Sequence, residues 1–117
     1  MEQKMCVLAC VTAQKDCARL IREGSRLALE RGASLQVLHV AREKNAGDVL
    51  ILDELFSLAH EVSAEVNILY EQDVASAIVR YARQCGAAAL VLGPDRSGTT
   101  GRVRQMLPED VQIVNMQ

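Results

Sequence analysis

The feature that most constrains the fold is a short apolar run, Leu90–Leu92, that stops at Gly93 and leads through a polar loop into a helix-compatible segment. A continuous apolar run without polar alternation is typical of a parallel strand covered on both faces, and Met5–Val11 is a second such run. Glycine after a buried strand lets the backbone approach a ligand closely, and the first N–H groups of a following helix attract anions. The stretch Leu90–Gly101 therefore predicts an anion-binding turn.

Strand-like and helix-like patterns alternate along the whole chain. In the first amphipathic stretch, apolar or small residues follow the helical period at Cys17, Leu20, Ile21, Gly24, Leu27 and Ala28. Strand-like runs follow at Leu35–Val40, at Ala64–Tyr70, around Leu90–Leu92 and at Val111–Met116. The resulting order is β-α-β-α-β-α-β-α-β. Because crossovers between parallel strands are right-handed and both sheet faces need cover, this order predicts an α/β domain with a three-layer, doubly wound parallel sheet.

Local signals place the ends of several helices. Asp48 is the expected N-cap of the second helix, after a polar loop at Arg42–Gly47. Asp73 is expected to cap the third helix and Gly86 to end it, while Pro108 stops the fourth. Ligands of such a fold bind at the carboxyl ends of the strands where the winding reverses.

Composition limits the size and the class of partner. The chain has 117 residues, of which 50% are hydrophobic and 24% charged, which suits a single domain spanning residues 1–117. The formal net charge is −2, Lys and Arg are scattered, and aromatic residues make up only 3%. A nucleic-acid partner is therefore not expected, because it requires a concentrated basic face or a stacking platform.

The amino-terminal residues do not resemble an export signal, and the run Met5–Val11 is too short to span a membrane. We therefore expect a cytoplasmic protein with no membrane partner.

The four cysteines, Cys6, Cys10, Cys17 and Cys85, lack Cys-x-x-Cys spacing and fall within apolar patterns. We interpret them as small buried hydrophobic residues that stay reduced. Cys6 and Cys10 share one strand face, and Cys17 is expected nearby, so a soft-metal or redox site is the alternative. The lack of histidine at ligand spacing favours packing and predicts no metal.

Two segments resemble the universal stress protein family, within the wider adenine nucleotide alpha hydrolase-like superfamily. Leu38-His39-Val40 resembles the ending of that family's second strand. Ala77–Gly86 followed by Leu90–Gly93 resembles its third helix and fourth strand. The resemblance implies strand order 3-2-1-4-5, with the ligand crevice between the ends of the first and fourth strands. It also implies a stress-response regulatory domain that binds an adenine nucleotide such as ATP or AMP, or another phosphorylated small molecule, without turnover.

The candidate ligand-binding residues follow from this crevice. The amides of Gly98–Gly101 would bind phosphate, with hydroxyl groups from the loop as donors, and Val40 and Ala41 would lie near a base. Asp95 is either a metal or ribose ligand or a turn-forming residue. The full candidate set is Thr12, Val40, Ala41, Gly93, Asp95, Arg96, Ser97, Gly98, Thr99, Thr100, Gly101 and Arg102.

The glycine spacing differs from that of the ATP-binding members. Those members have glycine, two residues, glycine, about nine residues, then glycine before Ser or Thr. Here the glycines are Gly93, Gly98 and Gly101, Arg102 follows, and no acidic residue ends the first strand. These differences favour an alternative function as a ligand-free dimerisation or docking module, whereas the Ser/Thr/Gly loop favours a ligand. The short loop resembles the stress-protein-like domains of potassium-sensing histidine kinases, which serve regulation.

Catalysis is not expected from this sequence. Thr99 stands where the phosphate-binding lysine of a P-loop belongs, and no Gly-x-Ser-x-Gly elbow supplies a nucleophile. His39 lies in a predicted buried strand and His60 late in a predicted helix, which favours structural roles for both. We therefore predict no catalytic residues.

The last strand predicts a homodimer if it lies at an edge of the sheet. Its unpaired backbone groups and the side chains of Val111, Ile113, Val114 and Met116 would then pair with the same strand of a second copy. Stress-protein-like domains commonly dimerise in this way. The alternative is a monomeric edge protected by Gln112 and Asn115.

Overall fold

The computed structural model describes residues 6–11, 17–41, 48–93 and 98–116. Within these ranges strands and helices alternate along the chain. The elements are β1 Cys6–Val11, α1 Cys17–Arg31, β2 Ser34–Ala41, α2 Asp48–Glu61, β3 Glu65–Tyr70, α3 Val74–Cys85, β4 Ala87–Leu92, α4 Thr99–Met106 and β5 Gln112–Asn115.

The five strands form one sheet in the order β3-β2-β1-β4-β5, and all neighbouring pairs are parallel. This confirms the predicted doubly wound sheet and the order 3-2-1-4-5 that the resemblance implies. The chain moves outward from β1 to β3, then returns to the other side of β1 with β4. The winding therefore reverses between β1 and β4, and their carboxyl ends form the expected crevice.

Helices cover both faces of the sheet. On one face, Ile21 of α1 and Leu55 of α2 pack with strand residues such as Val37. On the other, Ile78 of α3 and Val103 of α4 pack with strand residues such as Leu90. Every residue of β1 is buried, as expected for a continuous apolar run at the centre of such a sheet.

The helices form where their local signals predict them. The buried residues of α1 are the six that follow its apolar period. Gly32 then adopts the left-handed conformation with φ 64°, and the Ala33 N–H donates to the Ala28 carbonyl at 2.8 Å. Asp73 caps α3 and Gly86 ends it with φ 66°. Asp48 is the first residue of α2 rather than its N-cap, and the loop at residues 42–47 lies outside the described residues.

The edges of the sheet are β3 and β5. β5 is shorter than the predicted strand, because Val111 and Met116 lie just outside it. Val111 and Ile113 pack against the α3/α4 face, while Val114 and Met116 pack against the α1/α2 face. These four side chains are therefore partly buried in the chain's own core, and β5 offers mainly its backbone at the edge. Of the helices in the described ranges, none has both the length and the apolar character that crossing a bilayer requires.

Candidate functional site

The carboxyl ends of β1 and β4 lie side by side. Cys10 pairs with Leu92 in the parallel register, and Val11 on the other side pairs with His39 of β2. Gly93 follows directly, and a Cβ atom built on it would lie 3.4 Å from Leu20 of α1. The chain thus leaves β4 close to α1.

Among the described residues, no side chain caps the amino terminus of α4. Gly98 holds the N-cap position with φ 75° and ψ 10°, and it has no side chain to accept from the first amides of the helix. The first bond of the helix runs from the Arg102 N–H to the Gly98 carbonyl at 3.2 Å. The amides of Thr100 and Gly101 precede this bond, so the helix itself supplies no acceptor for them. Such a terminus favours an anion.

An ion pair fixes this terminus at the carboxyl edge of the sheet. Arg102 donates from both terminal nitrogens to the two carboxylate oxygens of Asp73, each at 2.9 Å. Asp73 is the N-cap of α3 and also accepts from the Ser76 N–H at 3.2 Å. Arg102 above all, and then Ser76, hold the pKa of Asp73 well below its usual range. The first turns of α3 and α4 therefore lie together, both following strands that end at this edge.

Arg102 is consequently engaged with a carboxylate, whereas the sequence predicts it as a ligand contact. The charges of the pair offset each other locally, and both side chains remain about half exposed. The amides at the start of α4, rather than this guanidinium, are the described groups best suited to receive a phosphate.

His39 lies beside the crevice as a buried side chain, as the sequence predicts. It is 2% exposed, and its Nδ1 lies 3.2 Å from the Val11 carbonyl oxygen, to which it donates. Among the described residues its Nε2 atom has no hydrogen-bond partner. Val40 is buried against the α3/α4 face, and the Ala41 carbonyl accepts from the Glu71 N–H at 2.8 Å. The carboxyl end of β2 is therefore held to β1 on one side and to the chain after β3 on the other.

The structure brings together most of the predicted site that it describes. Gly93, the first turn of α4 and the ends of β1 and β2 all lie at the carboxyl edge. The predicted contacts at Thr12, Asp95, Arg96 and Ser97 lie outside the described residues. Thr100 is only 7% exposed, so its hydroxyl group is less accessible to a ligand than the sequence suggests.

The expected proximity of Cys17 to Cys10 is wrong. Cys17 packs in the core on the α1/α2 face, whereas Cys10 packs in the core on the α3/α4 face, so the sheet separates them. In the part of the chain that the structure describes, no group of three or more His, Cys, Asp or Glu residues is arranged to hold a metal ion. The sequence interpretation also missed that Cys85 lies close to Cys6, and each of these cysteines shifts the pKa of the other.

The topology contains the signal for this missed contact. α3 follows the winding reversal, so it covers the face toward which Cys6 and Cys10 point. Gly86 then leads directly from Cys85 into β4, whose first residue pairs with Cys6. The last residue of α3 therefore had to lie near the first residue of β1.

Comparison with known proteins adds a sequence relation to sensor proteins. No protein-family model matches the chain. It is 30% identical over 99 residues to the sensor protein KdpD of Mycobacterium tuberculosis (strain ATCC 25618 / H37Rv), which covers 83% of the chain and 12% of that protein. It is 27% identical over 107 residues to KdpD of Clostridium acetobutylicum, which covers 90% of the chain and 12% of that protein. The chain thus spans 12% of the length of each of these curated relatives.

Solved structures give the fold. A universal stress protein from Archaeoglobus fulgidus in complex with dAMP is similar with a TM-score of 0.75 at 20% identity, covering 100% of both chains. A universal stress protein in complex with cAMP is similar with a TM-score of 0.74 at 19% identity, covering 99% of this chain and 100% of the other. UspA from Lactobacillus plantarum is similar with a TM-score of 0.65 at 21% identity over 100% of both chains. Strand order, crossovers and these similarities agree, and the chain therefore has the universal stress protein fold.

Proposed function

We propose that this chain is a cytoplasmic regulatory domain of the universal stress protein family that binds an adenine nucleotide, without turnover, at the carboxyl ends of β1 and β4. The observation that carries the proposal is the amino terminus of α4, which no described side chain caps and which the ion pair between Arg102 and Asp73 holds at that edge. The amides of Thr100 and Gly101 would donate to a phosphate there, where the helix dipole favours negative charge. The ends of β1 and β2 would then border the base.

The comparisons support the nucleotide as ligand. Two solved structures with the same fold are complexes with dAMP and with cAMP, which share an adenine base and a single phosphate. A single helix amino terminus carries about half an elementary positive charge, so it can stabilise one phosphate group without neutralising it. The similarity to a segment of KdpD sensor proteins supports a regulatory role.

The proposal includes no turnover, because few groups in the part of the site that the structure describes would stabilise a phosphoryl transition state. Thr99 stands in place of a P-loop lysine, and Arg102 is already bonded to Asp73. A transferring phosphoryl group needs cationic stabilisation that such an arrangement does not provide. We therefore expect binding with no release of inorganic phosphate.

Calorimetry tests the proposal directly. The purified chain is titrated with AMP, dAMP, cAMP, ADP and ATP, after denaturation of a sample to identify any co-purified small molecule by mass spectrometry. Binding of at least one nucleotide, with no phosphate release over hours, is expected. An absence of heat across the panel, with no small molecule released, contradicts the proposal and favours the ligand-free dimerisation or docking module.

Variants at Gly98 test where the phosphate binds. Gly98→Asp and Gly98→Asn both place a side chain in a left-handed position whose Cβ meets no described atom within 4 Å, and Asn and Asp tolerate that conformation. Only Asp adds a charge. A like charge about 4 Å from a phosphate costs about 1 kcal/mol even in bulk water, so Gly98→Asp should bind about fivefold more weakly than Gly98→Asn.

Gly32→Asp is the matched control for these variants. Gly32 has φ 64° and open space around it, but it lies between α1 and β2 at the amino ends of the strands, away from the proposed site. The control should keep the affinity of the wild type. If Gly98→Asp, Gly98→Asn and Gly32→Asp bind the nucleotide with equal affinity, phosphate binding at α4 is contradicted.

We also propose that two copies associate through β5. The Met116 N–H donates to the Leu92 carbonyl at 2.8 Å, so the alternation of a parallel strand directs the Asn115 N–H away from β4. The sheet edge thus carries a backbone donor for a second copy. Asn115→Pro removes that donor but leaves the hydrogen bonds between β4 and β5 in place. Sedimentation should give a dimer for the wild type at tens of micromolar and a monomer for Asn115→Pro, and a monomeric wild type would contradict the proposal.

A further inference from the structure

The amino edge of the sheet, opposite the proposed nucleotide site, brings two cysteines together. β1 begins at Cys6, which pairs with Ala87 at the start of β4. α3 ends at Cys85, and the left-handed turn at Gly86 connects it directly to Ala87. Cys6 lies on the face of β1 that α3 covers, and Cys85 is half-buried against the core on that same face, so the two cysteines share this corner. They are far apart in the sequence.

The two thiols have different accessibility and different hydrogen bonds. Cys6 is 2% exposed, whereas Cys85 is half-buried and reachable from solvent. The Cys85 thiol donates to the Ala82 carbonyl oxygen at 3.7 Å, and the Cys6 thiol donates to the Val7 carbonyl oxygen at 3.7 Å. The corner therefore holds one accessible thiol beside one buried thiol.

These contacts shift the two pKa values in opposite directions. The Cys6 thiol above all, and then the backbone N–H groups of Cys85 and Ala87, lower the pKa of Cys85. Burial and the carboxyl end of α3 act in the opposite direction, because both disfavour a negative charge. The same contact with Cys85, together with burial, raises the pKa of Cys6. Cys85 therefore ionises first, while Cys6 keeps its proton.

Other groups around the pair modify this balance. Glu65 raises the pKa of Cys6, and Ser34 lowers it through a hydrogen bond. Tyr81 donates to Gln36 at 2.7 Å, and its own pKa is raised by burial and then by the nearby Cys85. Cys10, deeper on the same face, has its pKa raised by burial and by Cys85. Cys10 is thus a weaker candidate for reaction than Cys85.

We propose that Cys6 and Cys85 form a peroxide-sensitive modification site, in which Cys85 is oxidised first and Cys6 then closes an intramolecular disulfide. A solvent-accessible thiol beside a resolving thiol is the arrangement of redox-responsive cysteines. Cys6 pairs with Ala87, two residues after Cys85, so the fold holds the two cysteines at one corner where a disulfide would join neighbouring elements. The proposal does not depend on nucleotide binding.

The chemistry requires hydrogen peroxide as the oxidant. The Cys85 thiolate attacks one peroxide oxygen, the O–O bond breaks, and the departing hydroxide takes up a proton to become water. The sulfur is thereby oxidised by two electrons to a sulfenic acid. The Cys6 sulfur then attacks the Cys85 sulfur, the S–O bond breaks, and the hydroxyl group leaves with the Cys6 proton as a second water. A dithiol such as dithiothreitol reverses the S–S bond by exchange.

Peptide mapping of the oxidised chain tests the proposal. The full-length protein is treated with a few equivalents of hydrogen peroxide, residual thiols are blocked with iodoacetamide, and the non-reduced digest is analysed by mass spectrometry. We expect a peptide linking Cys6 to Cys85 and the loss of two hydrogen atoms from the intact monomer. Without peroxide, Cys85 should be alkylated on the order of tenfold faster than Cys10 or Cys17, which are buried.

Two variants separate the steps. In Cys6→Ala, which removes the resolving thiol, Cys85 should remain a sulfenic acid that dimedone traps. In Cys85→Ser, which replaces a half-buried residue, peroxide should form no linkage to Cys6. Cys17→Ala is the control, because Cys17 lies in the core on the other face of the sheet and the linkage should still form.

Several outcomes would overturn the proposal. They are a disulfide from Cys85 to Cys10, a disulfide only between two chains, or oxidation of Cys10 or Cys17 before Cys85. The wild-type map gives this answer even if Cys6→Ala fails to fold. Circular dichroism of each variant identifies such a failure.

Discussion

Replacing Gly24 of α1 with alanine gives two opposing effects on stability, and the structure decides which is larger. Gly24 lies in the buried stripe of the helix. Alanine in place of glycine inside a helix is favourable by about 1 kcal/mol. A Cβ atom at this position, however, would lie 2.8 Å from Leu35 Cδ1 and 3.3 Å from Ala9 Cβ. Normal contacts between carbon atoms are about 3.5–4.0 Å.

The two contacts differ in how easily they relax. Leu35 Cδ1 can move if the side chain leaves its rotamer, which costs about 0.5–1.5 kcal/mol. Ala9 is fully buried in the central strand β1 and cannot move away, so α1 itself must shift outward. Overpacking of this kind costs about 1–3 kcal/mol. With a central cost of about 2 kcal/mol against the helix gain, we expect Gly24→Ala to lower the free energy of unfolding by about 1 kcal/mol.

Urea denaturation followed by far-UV circular dichroism measures this difference. Gly101→Ala in α4 is the control, because a Cβ there meets nothing within 4 Å, and this variant should gain up to about 1 kcal/mol. Leu35→Val removes the atom that clashes. It should cost about 1 kcal/mol alone and close to nothing in the Gly24→Ala background. If Gly24→Ala stabilises the protein as much as Gly101→Ala does, the inferred close packing of α1 on β1 is refuted.

Further substitutions test the site and the core. Because Arg102 and Ser76 hold the pKa of Asp73 low, Asp73 contributes stability above its unfolded pKa of about 3.9, and this contribution is lost as the pH falls through the lower folded value. Asp73→Asn should therefore be less stable than the wild type at neutral pH, and the two should converge in acid when unfolding is followed against pH. Tyr81→Phe, which removes the bond to Gln36, should lower the free energy of unfolding by about 1 kcal/mol in the same denaturant assay. Leu90→Ala, in the fully buried centre of β4, should lower it by about 2–5 kcal/mol.

Local patterns were sufficient for the elements and for their buried faces. The stripe of α1 depends only on the helical period, and the ends of α3 depend on one capping carboxylate and one left-handed glycine. Both signals lie within a few residues of the feature that they predict, so no tertiary information was needed. The strand order came from the family resemblance, because periodicity alone does not specify which strands are neighbours.

Contacts between elements were the part that the sequence interpretation missed. Arg102 and Asp73 are 29 residues apart, and their pairing depends on how α4 packs beside α3. The false grouping of Cys17 with Cys10 has a topological reason. In a doubly wound sheet, the helices before the winding reversal cover one face and those after it cover the other. Applied to the sequence, this rule separates Cys17 in α1 from Cys10 and assigns Cys85 in α3 to the face of Cys10.

The proposed redox site and the proposed nucleotide site lie at opposite ends of α3, and we expect them to act independently. The helix has 12 residues, so about 18 Å separates Cys85 from the capping residue Asp73. Cys85 is the last residue of α3 and shares a corner with Cys6, so the end of the helix can absorb the closure of a disulfide while its buried inner face holds the rest of the helix in place. Nucleotide affinity measured by calorimetry on the oxidised and the reduced chain should therefore agree within about twofold. A larger difference would mean that α3 transmits strain to Asp73, and Asp73→Asn should then reduce that difference.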